Sequence, residues 1–263
     1  MLEHYCQPGS VLYYSLKKTP ILQRKAILAV MAFYQEIENI VFEVNDPNLA
    51  ILKLNWWRDE ISKIQNGTPE HPVSRELKNI SNLSCEHLHT IIDGMQQNLF
   101  FLPFLSFEEV TIHIMRTAGA RECLLAEIVT VNPPNQEVIY QFALMLELIH
   151  YMQNLHRYIK KGLIIFSEEE MKKFFVKGED LQKFKTTHEI KRLLSYQAEK
   201  AERAYKNARE GMTTKTLKDL SSLIVRCEIS LATLKEIRSS DFNVLENFIS
   251  LTPIRYWWIA MKH

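Results

Sequence analysis

Arg24-Lys-Ala-Ile-Leu-Ala-Val-Met-Ala-Phe-Tyr-Gln-Glu-Ile-Glu-Asn-Ile-Val-Phe-Glu43 decides the fold class. Ile27, Val30, Met31, Tyr34, Ile37 and Val41 recur at steps of three and four, the period of a helix with one apolar face. The acids gather at its C-terminal end. A helix that ligates a metal ion through carboxylates needs two of them four residues apart, on one face and one turn from each other. Here the slots four apart hold Glu38 and Phe42.

The same period continues outward along the chain. Helices are expected over 48–65, started by Asp46-Pro47 and stopped near Gly67-Thr68-Pro69, and over 73–80, 85–101 and 107–129, the last punctuated by Pro133-Pro134. The segment 136–159 is the most apolar. Its run Phe142-Ala-Leu-Met-Leu-Glu-Leu-Ile149 is hydrophobic nearly all round, as in a buried central helix. After Lys160-Lys-Gly162, Ser167 with Glu170 reads as a capping box. Helices over 187–211, 216–238 and 244–262 complete an all-α chain with no repeat and no linker, hence one domain over 1–263.

Composition sets limits on function. Formal net charge is +1, so no global field argues for nucleic acid. Seven glycines and nine prolines are too few for a many-stranded sandwich or barrel. Cys6, Cys85, Cys123 and Cys227 lie far apart with no CxxC pair, which is neither a disulfide framework nor a zinc spacing. Met1-Leu-Glu-His-Tyr-Cys6 lacks a basic n-region and an apolar h-region, and no apolar run approaches the ~20 residues of a transmembrane segment. The expected location is cytoplasmic, or peripheral to the inner membrane.

Several strings together resemble the squalene/phytoene synthase family, all-α enzymes that join two prenyl diphosphates head to head. They are Tyr13-Tyr14-Ser15, Gln23-Arg-Lys-Ala-Ile27, Lys53-Leu-Asn-Trp-Trp-Arg-Asp-Glu60, Gly67-Thr-Pro69, His71-Pro-Val73 and Ile92-Asp-Gly-Met95. Ala118-Gly119 stands where the family breaks a helix, Asn154-Leu-His-Arg157 where it reads "TNILRD", and Gly162 to Leu181 resembles its flap. The resemblance implies an isoprenoid-synthase-type helical bundle around a central cavity lined from 21–43, 86–101, 109–129 and 136–159. Cavity-lining candidates are Tyr14, Phe33, Tyr34, Phe42, Tyr151 and Tyr158.

The family's catalytic residues do not carry over well. Its first acidic box, "DDxxD", falls on Glu38-Asn39-Ile40-Val41-Phe42, which keeps Glu38 and the amide oxygen of Asn39 but has a phenyl ring at the fifth place. Glu43 is rotated about 100° around the axis from there. Its diphosphate-contacting arginine is Gln35 here. In the second box Asn154 and Arg157 survive, the first aspartate is Tyr158, and the next acidic pair falls on Ile159-Lys160-Lys161. Two prenyl diphosphates carry about six negative charges that Mg²⁺ must neutralise. Losing one such electrostatic contributor costs ~10²–10³ in rate. No catalytic residue and no metal site is therefore expected.

Degraded boxes on an intact scaffold resemble the family branch linked to assembly of respiratory complex I. That implies a binding or assembly factor with a prenyl or lipid ligand, or a protein partner at the membrane surface, and no cofactor. The alternative is an active prenyltransferase with an altered diphosphate site, which alone would need Mg²⁺. Lys160-Lys161 beside Arg157 reads as a solvated basic loop in preference to a phosphate site. His150 and His156, six apart, do not share a face. Of Trp56, Trp57 and Arg58, one tryptophan is expected against the first helix, with Arg58 paired to Glu36 or Glu60. Ile254 to Met261, aromatic and basic, reads as the last core helix ahead of a membrane-surface helix.

Overall fold

Helix follows helix along the chain, and among the described residues no strand occurs. The computed structural model describes residues 2–210 and 212–263. Met1, where the N-terminal reading begins, and Gly211, the expected end of the 187–211 helix, lie outside the described residues, as does the Glu3 side chain. The α-helices are α1 (Val11–Ser15), α2 (Ile21–Glu43), α3 (Pro47–Gln65), α4 (Pro72–Leu77), α5 (Cys85–Gln97), α6 (Phe107–Ile114), α7 (Ala120–Val129), α8 (Gln136–Gln153), α9 (Leu155–Lys161), α10 (Glu168–Lys173), α11 (Gly178–Gln182), α12 (His188–Glu210), α13 (Thr214–Asp219), α14 (Ser221–Ser239) and α15 (Pro253–Lys262).

α8 is the central element. It is buried nearly all round through Phe142, Ala143, Met145, Ile149 and Met152, and it packs on α12, α14 and the 115–119 turn. Its closest neighbour, α12, turns Ala198, Ala201, Ala204 and Ala208 inward, and these small side chains let two helix axes come close. A second core joins α2, α3, α5 and α7 around Phe33, Ile37, Leu54, Trp57 and Ile92. Trp57 is 3% exposed with its ring edge-on to Phe33 at 5.3 Å, as expected for one of the pair, while Trp56 is 41% exposed.

The breaks in the helices have local causes. The expected helix over 136–159 is divided at Asn154, where the backbone takes φ −105° and ψ +17°; its N–H still donates to the His150 carbonyl at 2.9 Å and its side chain adds a second bond there at 3.0 Å. The 107–129 helix runs on through a π turn, Met115–Gly119. There α5 and α8 approach so closely that a Cβ on Gly94 would lie 2.7 Å from Thr117 Cγ2, and one on Gly119 2.9 Å from Tyr140 Cδ1. α5 ends earlier than expected, in a 3₁₀ turn closed by left-handed Phe101. The 216–238 helix is likewise two pieces, α13 and α14, divided at Leu220. The last helix is also shorter than the expected 244–262. Asp241 and Phe242 both take φ of +57°, and Pro253 at the start of α15 disfavours helix in the residue before it.

Two side-chain pairings differ from expectation. Arg58 pairs with Asp93 at 2.5 Å and with Gln96 at 2.9 Å on α5, whereas Glu36 accepts from Tyr5 and Glu60 lies buried under the backbone N–H groups of Glu70 and His71. One turn of α3 carries a half-buried arginine toward α5 and a buried glutamate toward the 66–71 loop. Cys123 and Cys227 are buried thiols; Cys6 and Cys85 are half-buried.

Candidate functional site

The C-terminal end of α2 meets the turn from α8 into α9, so the two degenerate boxes do face each other. The groups that touch are not acids. The Phe42 ring stands edge-on to Tyr158 at 5.0 Å, Tyr158 stands edge-on to Tyr151 at 5.1 Å, and the Arg157 guanidinium lies 4.2 Å over the Phe42 ring. Lys161 closes the junction. Its ammonium donates to the Val44 carbonyl at 3.2 Å and to Asn45 Oδ1 at 3.4 Å, covering an unpaired end of α2. That corrects the reading of Lys160-Lys161 as a solvated loop for Lys161; Lys160 is exposed.

Two cavities with no lining residue in common lie between the helices. One, of about 230 Å³, is walled by Phe101, Phe104, His113, Tyr151, Tyr158 and Ile165. Burial, with the Arg116 charge behind it, pushes His113 down to about 4, and its Nδ1 has no hydrogen-bond partner. The other, of about 360 Å³, has an apolar wall that also carries Tyr34, Gln35, Glu38, Arg121, Glu147 and His150. Of the cavity-lining candidates, Phe33, Tyr14 and Phe42 line neither: Phe33 is core against Trp57, Tyr14 packs on Tyr256 of α15 at 6.3 Å, and Phe42 is taken up by Tyr158 and Arg157. Asn39 is half-buried and lines neither. Asn154 is spent on His150, and His156 on the Leu245 carbonyl at 3.0 Å.

Beneath this second cavity lies a network of buried charges that the sequence motifs do not announce. Glu122 Oε1 accepts from Arg121 Nε at 3.0 Å and from Arg226 Nη1 at 2.7 Å, and Arg226 Nη2 donates to Oε2 at 2.5 Å. Burial raises the Glu122 carboxyl, but Arg226 and Arg121 outweigh it and hold it below the ordinary range. The Arg121 guanidinium also lies 4.2 Å over the Tyr34 ring. Glu147 is buried on α8 and shifts the other way: burial raises it, against the pull of His150 and Arg121. The available signal was charge inside apolar runs, at Arg121-Glu122, Glu147 and Arg226, since such residues are buried only when paired.

At the aromatic junction magnesium does not fit the donor set; the two carboxylates that share a cavity wall, Glu38 and Glu147, lie away from it. Mg²⁺ takes one or two carboxylates with near-octahedral oxygen geometry. At the junction the facing groups are a phenyl ring, a phenol, a guanidinium and an ammonium. Among the described residues no group of three or more His, Cys, Asp or Glu side chains is placed to hold a metal ion.

Comparison with known proteins agrees with the helical arrangement. The chain is 20% identical over 231 residues to phytoene synthase 2, chloroplastic, of Solanum lycopersicum, covering 84% of this chain and 74% of that protein. It spans only 54 and 55% of two other plant phytoene synthases. It is 25% identical over 117 residues, 43% of this chain and 35% of the other, to the NADH dehydrogenase (ubiquinone) complex I, assembly factor 6, of Bos taurus. The crystal structure of a dehydrosqualene synthase in complex with ligand superposes with a TM-score of 0.83 at 17% identity, over 95% of this chain and 89% of that one. The squalene/phytoene synthase profile matches residues 8–257, nearly the whole length, and the chain belongs to that family.

Proposed function

We propose that this chain has lost Mg²⁺-dependent condensation of prenyl diphosphates and acts as a binding or assembly factor, in the assembly of respiratory complex I. One observation carries the reading. Where two acidic boxes would face each other across metal ions, Phe42 and Tyr158 are in contact beneath Arg157. Placing a hydrated divalent cation there would require parting an aromatic contact next to two cations, Arg157 and Lys161. The bovine assembly factor among the relatives supports the specific role. At about 230 and about 360 Å³ the two cavities sit below or at the low end of the ~300–1,000 Å³ usual for small-molecule sites, which favours a protein partner over a prenyl or lipid ligand. No cofactor is needed for such a role, and its place is cytoplasmic, peripheral to the inner membrane.

The alternative is a prenyltransferase with an altered diphosphate site. It draws on the phytoene synthases among the relatives and on Glu38 lining the same cavity as Arg121. Purified protein incubated with labelled farnesyl and geranylgeranyl diphosphates, Mg²⁺ and NADPH separates the two. The expected result is no squalene, presqualene diphosphate or phytoene. Clear turnover to any of them overturns the proposal and establishes the alternative.

A further inference from the structure

α15 is apolar on two faces, and only one of them is used. Tyr256 and Ala260 turn inward onto Val225, Ile229 and Leu251, a small satellite core shared with α14. Ile254, Trp257, Trp258 and Met261 turn outward and are between 37 and 64% exposed. Their spacing of three, four and seven is one helical face repeated over two turns. Single exposed apolar residues are ordinary, but an aligned stripe containing two tryptophans is not. The two indoles stand edge to face at 5.5 Å.

The chain segments around the stripe are basic. The acids beside it on α12 and α14 are engaged, Glu236 with Arg255, Glu202 with Arg238 and Glu228 with Tyr205, while Glu202 and Glu228 share a cleft wall with Lys262. Between Glu246 and the C-terminus, residues 247–263 contain Arg255 and Lys262 and no acid. Between Glu3 and Glu36, residues 4–35 contain Lys17, Lys18, Arg24 and Lys25 and again no acid. The two acid-free segments pack together. α1 contacts α15, Gly9 lies against Pro253, and Lys18 Nζ donates to the Met261 carbonyl at 3.0 Å, which sets the α1–α2 turn at the C-terminal end of the stripe. Arg255 is neutralised by Glu236 at 2.8 Å. Lys17, Lys18, Lys25 and Lys262 form no ion pair among the described residues, and Lys17 lies over the Tyr13 and Tyr14 rings. In a chain whose total charge is +1, this is a concentrated positive field.

We propose that the outer face of α15, with the α1–α2 turn beside it, docks on an anionic lipid surface. The helix lies in the plane of the interface, with its indoles and Ile254 and Met261 among the headgroups and acyl-chain ends and its lysines on the lipid phosphates. It does not span: among the described residues no helix is long and apolar enough to cross a membrane. A second copy of the chain fits poorly, because pairing two such faces would bring like charges together. An ordinary protein interface core is depleted in lysine. The inference stands apart from the fate of the condensation reaction, because docking involves neither acidic box.

The test uses the full chain with two kinds of vesicle, phosphatidylcholine alone and phosphatidylcholine mixed with phosphatidylglycerol, in a flotation assay at low and at high salt. The expected result is binding at least ~10-fold stronger to the anionic vesicles, weakening with salt, because each lysine near such a surface multiplies partitioning by about fivefold. Trp257→Ser/Trp258→Ser should reduce binding by ~10-fold or more, with folding checked by its melt, and Trp258→Ser alone, at a side chain 57% exposed, should weaken binding while melting like the parent chain. Lys17→Gln/Lys262→Gln should reduce it in proportion to the two charges removed. Absence of binding to anionic vesicles at low salt overturns the proposal, as does equal binding to both kinds. Unchanged binding by a folded tryptophan double variant does the same. A concentration-dependent dimer that the tryptophan variant abolishes, without vesicle binding, would assign the stripe to a second copy instead. None of these readouts contains a prenyl diphosphate, so failure here leaves the proposal on condensation untouched, and the reverse holds.

Discussion

Replacing Glu122 by glutamine removes the one negative charge between two buried guanidiniums. The side chains of Arg121 and Arg226 are only 10 and 9% exposed, and Glu122 is fully buried. Glutamine keeps the shape but puts an N–H₂ group where one carboxylate oxygen stood, facing an arginine donor. Removing one partner of a buried ion pair costs ~3–5 kcal/mol, because it leaves an uncompensated charge. Here two charges are left, so the upper end of that range applies. Against a total stability of ~5–15 kcal/mol this is a severe loss, and at roughly 2–4 °C per kcal/mol for a domain of this size it lowers Tm by about 10 °C or more. Thermal unfolding followed by circular dichroism measures it. A companion variant, Arg121→Met/Glu122→Leu/Arg226→Met, should melt near or above the parent, since apolar replacement of a whole buried ionic cluster is often neutral or stabilising. A Glu122→Gln protein melting within about 2 °C of the parent would show that water or relaxation already compensates the arginines, and the account of this core would be wrong.

Three further outcomes follow from the packing and the charges. Trp57→Ala should cost ~3–5 kcal/mol by emptying the space against Phe33, while Trp56→Ala should shift Tm by far less; equal effects in parallel melts would refute the assignment of the buried partner. His113 falls from 6.5 to about 4 in the fold, so its stabilising contribution is complete above pH 6.5 and is lost as pH falls toward 4; at 1.36 kcal/mol per pH unit this is about 3 kcal/mol, and His113→Phe should flatten the denaturation midpoint over that window. Gly94→Ala drives a methyl to 2.7 Å from Thr117 Cγ2 and should cost ~1–3 kcal/mol, partly recovered in urea titrations by Thr117→Ser, which deletes that methyl.

Most of the helices were legible because their apolar positions repeat at the helical period, which burial enforces regardless of partner. What was not legible were the points where the backbone leaves the helical path. Asn154 looks like any polar helical residue until its amide is seen on the His150 carbonyl. Nothing in the letters 115–119 announces a π turn; it follows from the close crossing that Gly94 and Gly119 permit. At the site, the absence of facing carboxylates could be read from Phe42 and Tyr158 directly. The buried arginines could not, because pairing between residues 104 apart in the chain, as for Arg226 and Glu122, leaves no local pattern. Arg58 shows the same limit: its charge predicts an acidic partner, but only the crossing of α3 and α5 selects Asp93.

The contact of Phe42, Tyr158 and Arg157 also bears on how this lineage can change. Each ring has the other as its packing partner, and the Arg157 guanidinium lies over the phenyl. A single change of Phe42 to aspartate would exchange a cation–π contact for an ion pair with Arg157 and would set one acid at the junction, opposite a phenol. The guanidinium already in place thus absorbs the first acid gained here, so charge pairing changes before metal affinity does.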